Sequence, residues 1–101
     1  HLIQADEVQK YMKQANVQTI DVRTATEYAD GHIKGFENIP LNTLAKNSAK
    51  IRKDIPVIIH CQSGARSAIA SSILEKLGYT NILNYSGSIN DWKSKNLPLV
   101  Q

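Results

Sequence analysis

The sequence has few of the residue types that mark disulfide-rich, metal-binding or aromatic-rich proteins. Its 101 residues include one cysteine, three prolines, five glycines and six aromatic residues. A single cysteine, Cys61, excludes an internal disulfide and a multi-cysteine zinc site. The histidines at positions 1, 32 and 60 do not have metal-ligand spacing with it. The sequence therefore predicts no metal site.

Long apolar runs are also missing. No stretch approaches the ~18 apolar residues of a membrane-spanning helix, and the N-terminus lacks the basic start and apolar core of a signal peptide. We expect no membrane contact from this segment and a cytoplasmic location, with processing after export or fusion to a larger protein left open. The length, with 42% hydrophobic and 21% charged residues, is typical of one globular domain over residues 1–101, expected to be a monomer.

Positive charge is in excess, but it is concentrated in one segment. Lys and Arg number 12 against 9 Asp and Glu, and residues 34–54 account for the whole excess of +3. Such a segment either attracts anions or is a solvated surface. The aromatic residues do not interleave with it and no known motif is present, so nucleic-acid binding is not predicted.

Apolar spacing predicts alternating helices and strands. Helices are expected over residues 5–15, 67–77 and 88–95, with short helical turns over 26–31 and over 42–46, the latter capped by Asn42. Strands are expected over residues 17–22, 57–61 and 80–85, with an extended stretch around residues 33–41. This alternation predicts an α/β domain with a mostly parallel central sheet.

A polar loop joins a buried strand to a helix and begins with the cysteine. Ligands bind at the carboxyl ends of parallel strands, where Cys61 lies. Gly64 allows successive N–H groups to turn toward one point, and the helix that follows adds its own free N–H groups. Such a pocket binds an anion or a thiolate, and it lowers the pKa of the cysteine. Arg66 adds a fixed positive charge, so we interpret Cys61 as a reactive nucleophile rather than a buried small hydrophobe.

Other cysteine chemistries fit this loop less well. His60 adjoins Cys61 on one strand, so the two side chains should point to opposite faces and His60 should be a packed, hydrogen-bonded residue. A C-x-x-C redox motif is absent. Cysteine phosphatases place one residue more between cysteine and arginine than the four residues between Cys61 and Arg66. The shorter loop argues against a phosphatase or arsenate-reductase relative, which stays the alternative among enzymes.

The stretch C-Q-S-G-A-R-S after V-I-I-H resembles the active-site loop of the rhodanese family of sulfurtransferases. T-I-D-V-R at 19–23, followed by E-Y-A-D-G-H-I-K-G-F-E-N-I-P at 27–40, resembles the family's first signature. S-G-S-I-N-D-W at 86–92, followed by N-L-P-L at 96–99, resembles the second, with Ser86 in place of the first of two usual glycines. Together the matches run from about residue 3 to residue 100.

The resemblance implies a single rhodanese-like domain, with helices on both faces of the sheet, and a sulfurtransferase activity. Cys61 would take sulfur as a persulfide from thiosulfate, a polysulfide or another persulfide, and pass it to cyanide or to a small or protein thiol. No metal or organic cofactor is implied. The donor-binding residues implied are Gln62, Ser63, Gly64, Ala65, Arg66 and Ser67.

The other signature residues are expected to be mainly structural. Asp21 and Arg23 would form a buried charge pair, with direct substrate contact as the alternative. His32 would be a hydrogen-bonded packing residue and Trp92 a core residue, and Ser67 would either cap its helix or contact substrate. A different class of function also remains open, namely a sulfur-carrier or protein-binding module whose partner supplies the catalysis.

Overall fold

The computed structural model describes residues 1–101. The helices are α1 (Ala5–Met12), α2 (Ala25–Asp30), α3 (Ala65–Lys76) and α4 (Ser88–Ser94), with 3-10 turns at Leu41–Thr43 and Ser48–Lys50. The strands are β1 (Gln18–Asp21), β2 (Glu37–Asn38), β3 (Val57–His60) and β4 (Ile82–Asn84). They form one sheet in the order β2-β1-β3-β4, and every pairing is parallel. This confirms the predicted α/β fold class.

The two faces of the sheet bury two separate hydrophobic clusters. Val57 and Ile59 of β3 belong to the first cluster, together with Ala70 and Leu74 of α3. Ile58 belongs to the second cluster, which also contains residues of α1 and α4 (Ala5, Val8, Ile89 and Trp92). Because both faces are covered by helices, β3 is buried along its whole length, as its unbroken apolar sequence requires.

Several element boundaries differ from the sequence prediction. The helix expected from Ser67 begins at Ala65, because Gly64 takes a left-handed conformation (φ 107°) at its N-cap. The loop is therefore shorter than predicted, and Arg66 lies in the first helical turn. The predicted cap at Asn42 is wrong, since Pro40 occupies the N-cap of a 3-10 turn that starts at Leu41.

The apolar faces predicted for two helices also agree only in part with the residues that the structure buries. Spacing predicts an apolar face of Val8, Tyr11, Met12 and Ala15 on the first helix, but α1 ends at Met12 and Ala15 is exposed. In α3 the structure buries Ala70 and Leu74, whereas Ile69 is 52% exposed and Leu77 38% exposed. No helix has the length and apolar character needed to cross a membrane.

Candidate active site

The site is built around the sulfur of Cys61, which follows the last residue of β3. Cys61 is 1% exposed. The backbone N–H of Gly64 donates to its Sγ at 3.1 Å. The backbone N–H and hydroxyl of Ser67 lie close enough to the sulfur to lower its pKa, and that hydroxyl also has the Gly64 carbonyl as an acceptor at 3.2 Å. The first turn of α3 thus directs its free N–H groups at the cysteine, as the sequence predicts.

The carbonyl groups of the same loop face another helix. Ile89 N–H donates to the Cys61 carbonyl at 3.1 Å, and Asn90 N–H donates to the Gln62 carbonyl at 3.0 Å. These donors are unpaired N–H groups of the first turn of α4. Since α4 holds the loop carbonyls on one side, the loop amides are free to face the sulfur on the other.

Glycine is required at position 64 for two reasons. Its φ of 107° lies in the left-handed region, and a Cβ there would sit 2.6 Å from the backbone oxygen of Ser86. The loop therefore approaches the turn before α4 more closely than any other residue type permits.

Ser88 is a site residue that the sequence analysis missed. It is fully buried, and its hydroxyl oxygen accepts from Cys61 N–H at 3.0 Å. Its single hydroxyl proton can be donated to Tyr85 O at 3.0 Å or toward Cys61 Sγ at 3.7 Å. With φ 59°, Ser88 occupies a glycine-like conformation that Ser86 does not. The only sequence feature that could have pointed to Ser88 is its position in S-G-S, at the start of the second signature.

The hydrogen bonds around Cys61 shift its acidity. Burial raises the pKa of the Cys61 thiol, but the donors from Ser67, Ser88 and Gly64 outweigh burial and leave the pKa below its ordinary value. The arrangement therefore stabilises a thiolate, the nucleophilic form of cysteine.

Replacing Ser88 should raise the pKa of Cys61, because one donor to the sulfur is lost. Ser88→Ala and Ser88→Gly both remove the hydroxyl, and only glycine relieves the positive φ. We expect both variants to shift the midpoint of Cys61 alkylation by iodoacetamide to higher pH. The alanine variant should also be less stable than the glycine variant by roughly 1 kcal/mol. An unchanged midpoint in both variants would rule out a role for the hydroxyl.

Arg66 does not project freely into the site. Its Nη1 donates to Glu27 Oε1 at 2.6 Å and its Nη2 to Glu27 Oε2 at 2.9 Å. The hydrogen bond from Arg66 is the main cause that lowers the pKa of Glu27 to about 2. Glu27 also closes the capping box of α2 by accepting from Thr24 N–H. The family resemblance implied that Arg66 binds the sulfur donor, and nothing in the sequence pointed to its partner Glu27.

The remaining predicted loop residues lie at the rim. The Gln62 side chain donates to Asn90 Oδ1 at 2.6 Å, so it faces α4 rather than the sulfur. Ser63 and Ala65 are exposed. Of the six residues predicted to bind the donor, Gly64 and Ser67 are the ones whose groups reach Cys61 Sγ.

Asp21 and Arg23 form a buried ion pair beneath the site. Arg23 Nε donates to both carboxylate oxygens at 3.1 Å, and its Nη2 donates to Oδ2 at 2.8 Å and to Gly31 O at 2.8 Å. The pair therefore ties the end of β1 to the end of α2, the helix that carries Glu27. This is the geometry of the buried charge pair that was expected from the sequence.

The predicted packing residues occupy apolar or hydrogen-bonded positions. His60 is fully buried on the face opposite Cys61, and its Nδ1–H donates to the Cys61 carbonyl at 2.9 Å. Its Nε2 has no hydrogen-bond partner and lies 3.6 Å from Asp21 Oδ2. Burial lowers the pKa of His60 despite this neighbouring carboxylate. His32 stacks on Tyr28, and Trp92 is a core residue.

Comparison with known proteins matches this chain to one family. The profile described as Rhodanese-like domain covers residues 4–95. YqhL of Bacillus subtilis, described as uncharacterized, is 44% identical over 78 residues, which are 77% of this chain and 62% of that protein. This chain therefore spans less than two thirds of that relative.

Two further proteins are similar over most of their own length. An Allochromatium vinosum protein named sulfurtransferase is 38% identical over 85 residues, covering 84% of this chain and 79% of that protein. The crystal structure of a rhodanese-related protein from Thermoplasma volcanium has a TM-score of 0.88 at 30% identity, covering 99% of this chain and 97% of that one. This chain therefore belongs to the family of rhodanese-like domains, which has members named as sulfurtransferases.

Proposed function

We propose that this domain is a sulfurtransferase that carries sulfur on Cys61 as a persulfide. The observation that carries the proposal is the buried Cys61 sulfur, which accepts a hydrogen bond from the Gly64 N–H at 3.1 Å and has Ser67 and the Ser88 hydroxyl as further donor groups around it. A cradle of donors around a cysteine stabilises a thiolate as a nucleophile and later as a leaving group. Both roles are needed when sulfur is first accepted and then released.

The first step loads the cysteine. The Cys61 thiolate attacks the outer sulfur of thiosulfate, a polysulfide or a persulfide, and a new S–S bond forms. The bond inside the donor breaks, and its electron pair leaves with sulfite, a shorter polysulfide or a thiolate. The residues of the loop and of the first turn of α3 would bind the donor, and Arg66 would meet an anionic donor at the mouth.

The second step returns the cysteine to its starting form. Cyanide or the thiolate of a small molecule or protein attacks the outer sulfur of the persulfide, giving thiocyanate or a new persulfide. The Cys61 thiolate leaves, held again by its hydrogen-bond donors. The reaction is a two-step, ping-pong exchange, in which sulfur is bound to Cys61 between the two steps.

Intact-mass analysis tests the proposal directly. The protein is treated with thiosulfate or polysulfide, freed of donor and then treated with cyanide. We expect a gain of one sulfur atom that cyanide removes. If neither donor gives an adduct, the proposal is wrong, and phosphate and arsenate substrates are tested next. If a protein thiol removes the added sulfur and cyanide does not, the domain is instead a sulfur carrier.

A further inference from the structure

We propose that Glu27 is a specificity-determining residue that makes an organic persulfide, rather than thiosulfate, the preferred sulfur donor. The inference rests on the proposed sulfurtransferase function and deepens it. Thiosulfate is a dianion with a sulfonate group, and a site that selects it needs positive charge free to meet that group. A persulfide with an uncharged organic group has no such need.

Arg66, the only charged residue of the loop, is already paired with a carboxylate. Both of its terminal nitrogens donate to the carboxylate of Glu27, at 2.6 and 2.9 Å. Two parallel hydrogen bonds are the strongest geometry for such a pair. A sulfonate that approaches the loop therefore competes with a carboxylate for the same donors.

Glu27 is itself held in place. Its Oε1 accepts from the Thr24 N–H at 3.0 Å and from the Thr24 hydroxyl at 3.1 Å. The side chains of Arg66 and Glu27 are 31% and 32% exposed, so protein covers most of the ion pair. The pair is thus a fixed feature of the mouth.

The other charges at this edge of the sheet are also balanced. Arg23 is buried against Asp21. A cavity of about 190 Å³ beside Glu27 is lined by two basic residues, Arg23 and Lys93, and by two acidic residues, Glu27 and Asp30. It offers a dianion no net positive charge.

The loop amides do not replace the missing positive charge. Gly64 N–H donates to Cys61 Sγ at 3.1 Å, and Ser67 lies close enough to the sulfur to lower its pKa. During attack these groups hold the cysteine thiolate itself. A loop amide carries no net charge, so Arg66 is the only residue of the loop that brings a full positive charge to a sulfonate.

Arg66 also lines a second cavity, of about 290 Å³, whose surface is mainly apolar. The other residues that line it are Val22, Thr24, Pro40, Leu41 and Asn42. Water occupies ~30 Å³ per molecule in the liquid, so the cavity has room for a small thiol's organic group. We assign it as the subsite for that part of the donor.

Sulfur transfer to Cys61 conserves atoms and charge with either donor. With R–S–SH, the Cys61 thiolate bonds to the outer sulfur, the donor S–S bond breaks, R–S⁻ leaves, and the proton stays on the transferred sulfur. With thiosulfate, the same attack expels sulfite with both negative charges. Only the second donor brings two negative charges to the mouth.

The experiment measures the second-order rate constant of Cys61 persulfide formation by intact mass, with two probes. These are thiosulfate and the hydropersulfide of N-acetylcysteamine, whose organic group is uncharged. The variant is Glu27→Gln, which keeps an oxygen for Thr24 and removes the charge. Glu75→Gln is the matched control, because Glu75 is an exposed acid on α3 with no side-chain partner.

We expect Glu27→Gln to raise the thiosulfate constant about tenfold and to change the hydropersulfide constant by less than about twofold, since it weakens a charge-assisted pair. Glu75→Gln should leave both constants unchanged. Adding Arg66→Gln to Glu27→Gln should cancel the gain, which shows that it acts through Arg66. Leu41→Asn, which makes the cavity polar without adding charge, should lower the rate constant for the hydropersulfide more than that for thiosulfate.

The outcomes separate the two proposals. If both donors load Cys61 but Glu27→Gln leaves the thiosulfate constant unchanged, or raises both constants equally, this inference is wrong and the proposed function stands. If neither donor loads Cys61 in the unmodified protein, the proposed function itself is wrong.

Discussion

Replacing Cys61 with serine is expected to abolish sulfur loading and to leave the fold intact. A serine hydroxyl is not ionised near neutral pH and forms no persulfide, so the loss should be on the order of 10⁴-fold or more, as for other deleted nucleophiles. The smaller side chain can still accept the hydrogen bonds from Gly64 and Ser67. Stability should therefore change by less than about 2 kcal/mol.

The measurement is the same mass assay, run beside urea unfolding. Because Cys61 is the only cysteine, a sulfur adduct in the unmodified protein has no second thiol on which to form. An adduct on Cys61→Ser, formed as fast as on the unmodified protein, would refute the mechanism. If the domain is instead a binding module, the serine variant should keep its affinity for the partner.

Removing Arg23 should cause the largest loss of stability. Asp21 is fully buried, and the Arg23 side chain is 4% exposed, so Arg23→Met leaves a buried carboxylate without its partner. Breaking one side of a buried ion pair costs roughly 3–5 kcal/mol. This is a large part of the about 5–15 kcal/mol by which a domain is stable. Methionine retains most of the apolar stem, so the loss reflects the charge and its hydrogen bonds.

The chain provides a matched control for this prediction. Arg52 and Asp54 form a second Arg–Asp pair two positions apart, but their side chains are 62% and 65% exposed. Arg52→Met should therefore change the free energy of unfolding very little. The double variant Asp21→Asn/Arg23→Met should recover part of the stability, because no unpaired charge remains. Equal losses for Arg23→Met and Arg52→Met, measured by urea unfolding, would contradict the role of burial.

The sequence predicted secondary structure best in one continuous segment of the chain. An unbroken apolar strand, a polar loop with a central glycine and an apolar-spaced helix follow one another from Val57 to Lys76. Each element depends on neighbours within a few positions, so its type can be inferred from spacing alone. The start of α3 was misplaced because its N-cap is a left-handed glycine, not a side-chain cap of the usual kind.

Apolar spacing predicts two adjacent apolar lines along α3, one of Ile69, Ile73 and Leu77 and one of Ala70 and Leu74, and does not decide which of them faces the sheet. Ile69 and Leu77 are larger and more apolar than Ala70, yet Ala70 faces the sheet and the other two are exposed. Small residues let a helix approach a sheet closely, and spacing contains no information about that distance. Ile69 and Leu77 are therefore surface residues, whereas Ile73 between them packs against the first hydrophobic cluster.

The sequence by itself determined the family, the α/β fold class and the cysteine at the end of a buried strand, because these depend on local patterns and on motif order. Only the tertiary structure decided what surrounds that cysteine. Glu27 reaches Arg66 across 39 positions and Ser88 reaches Cys61 across 27. Neither contact leaves a trace in local spacing, since each forms only when separate helices meet at the same edge of the sheet. The electrostatics of the site therefore come from the assembled fold.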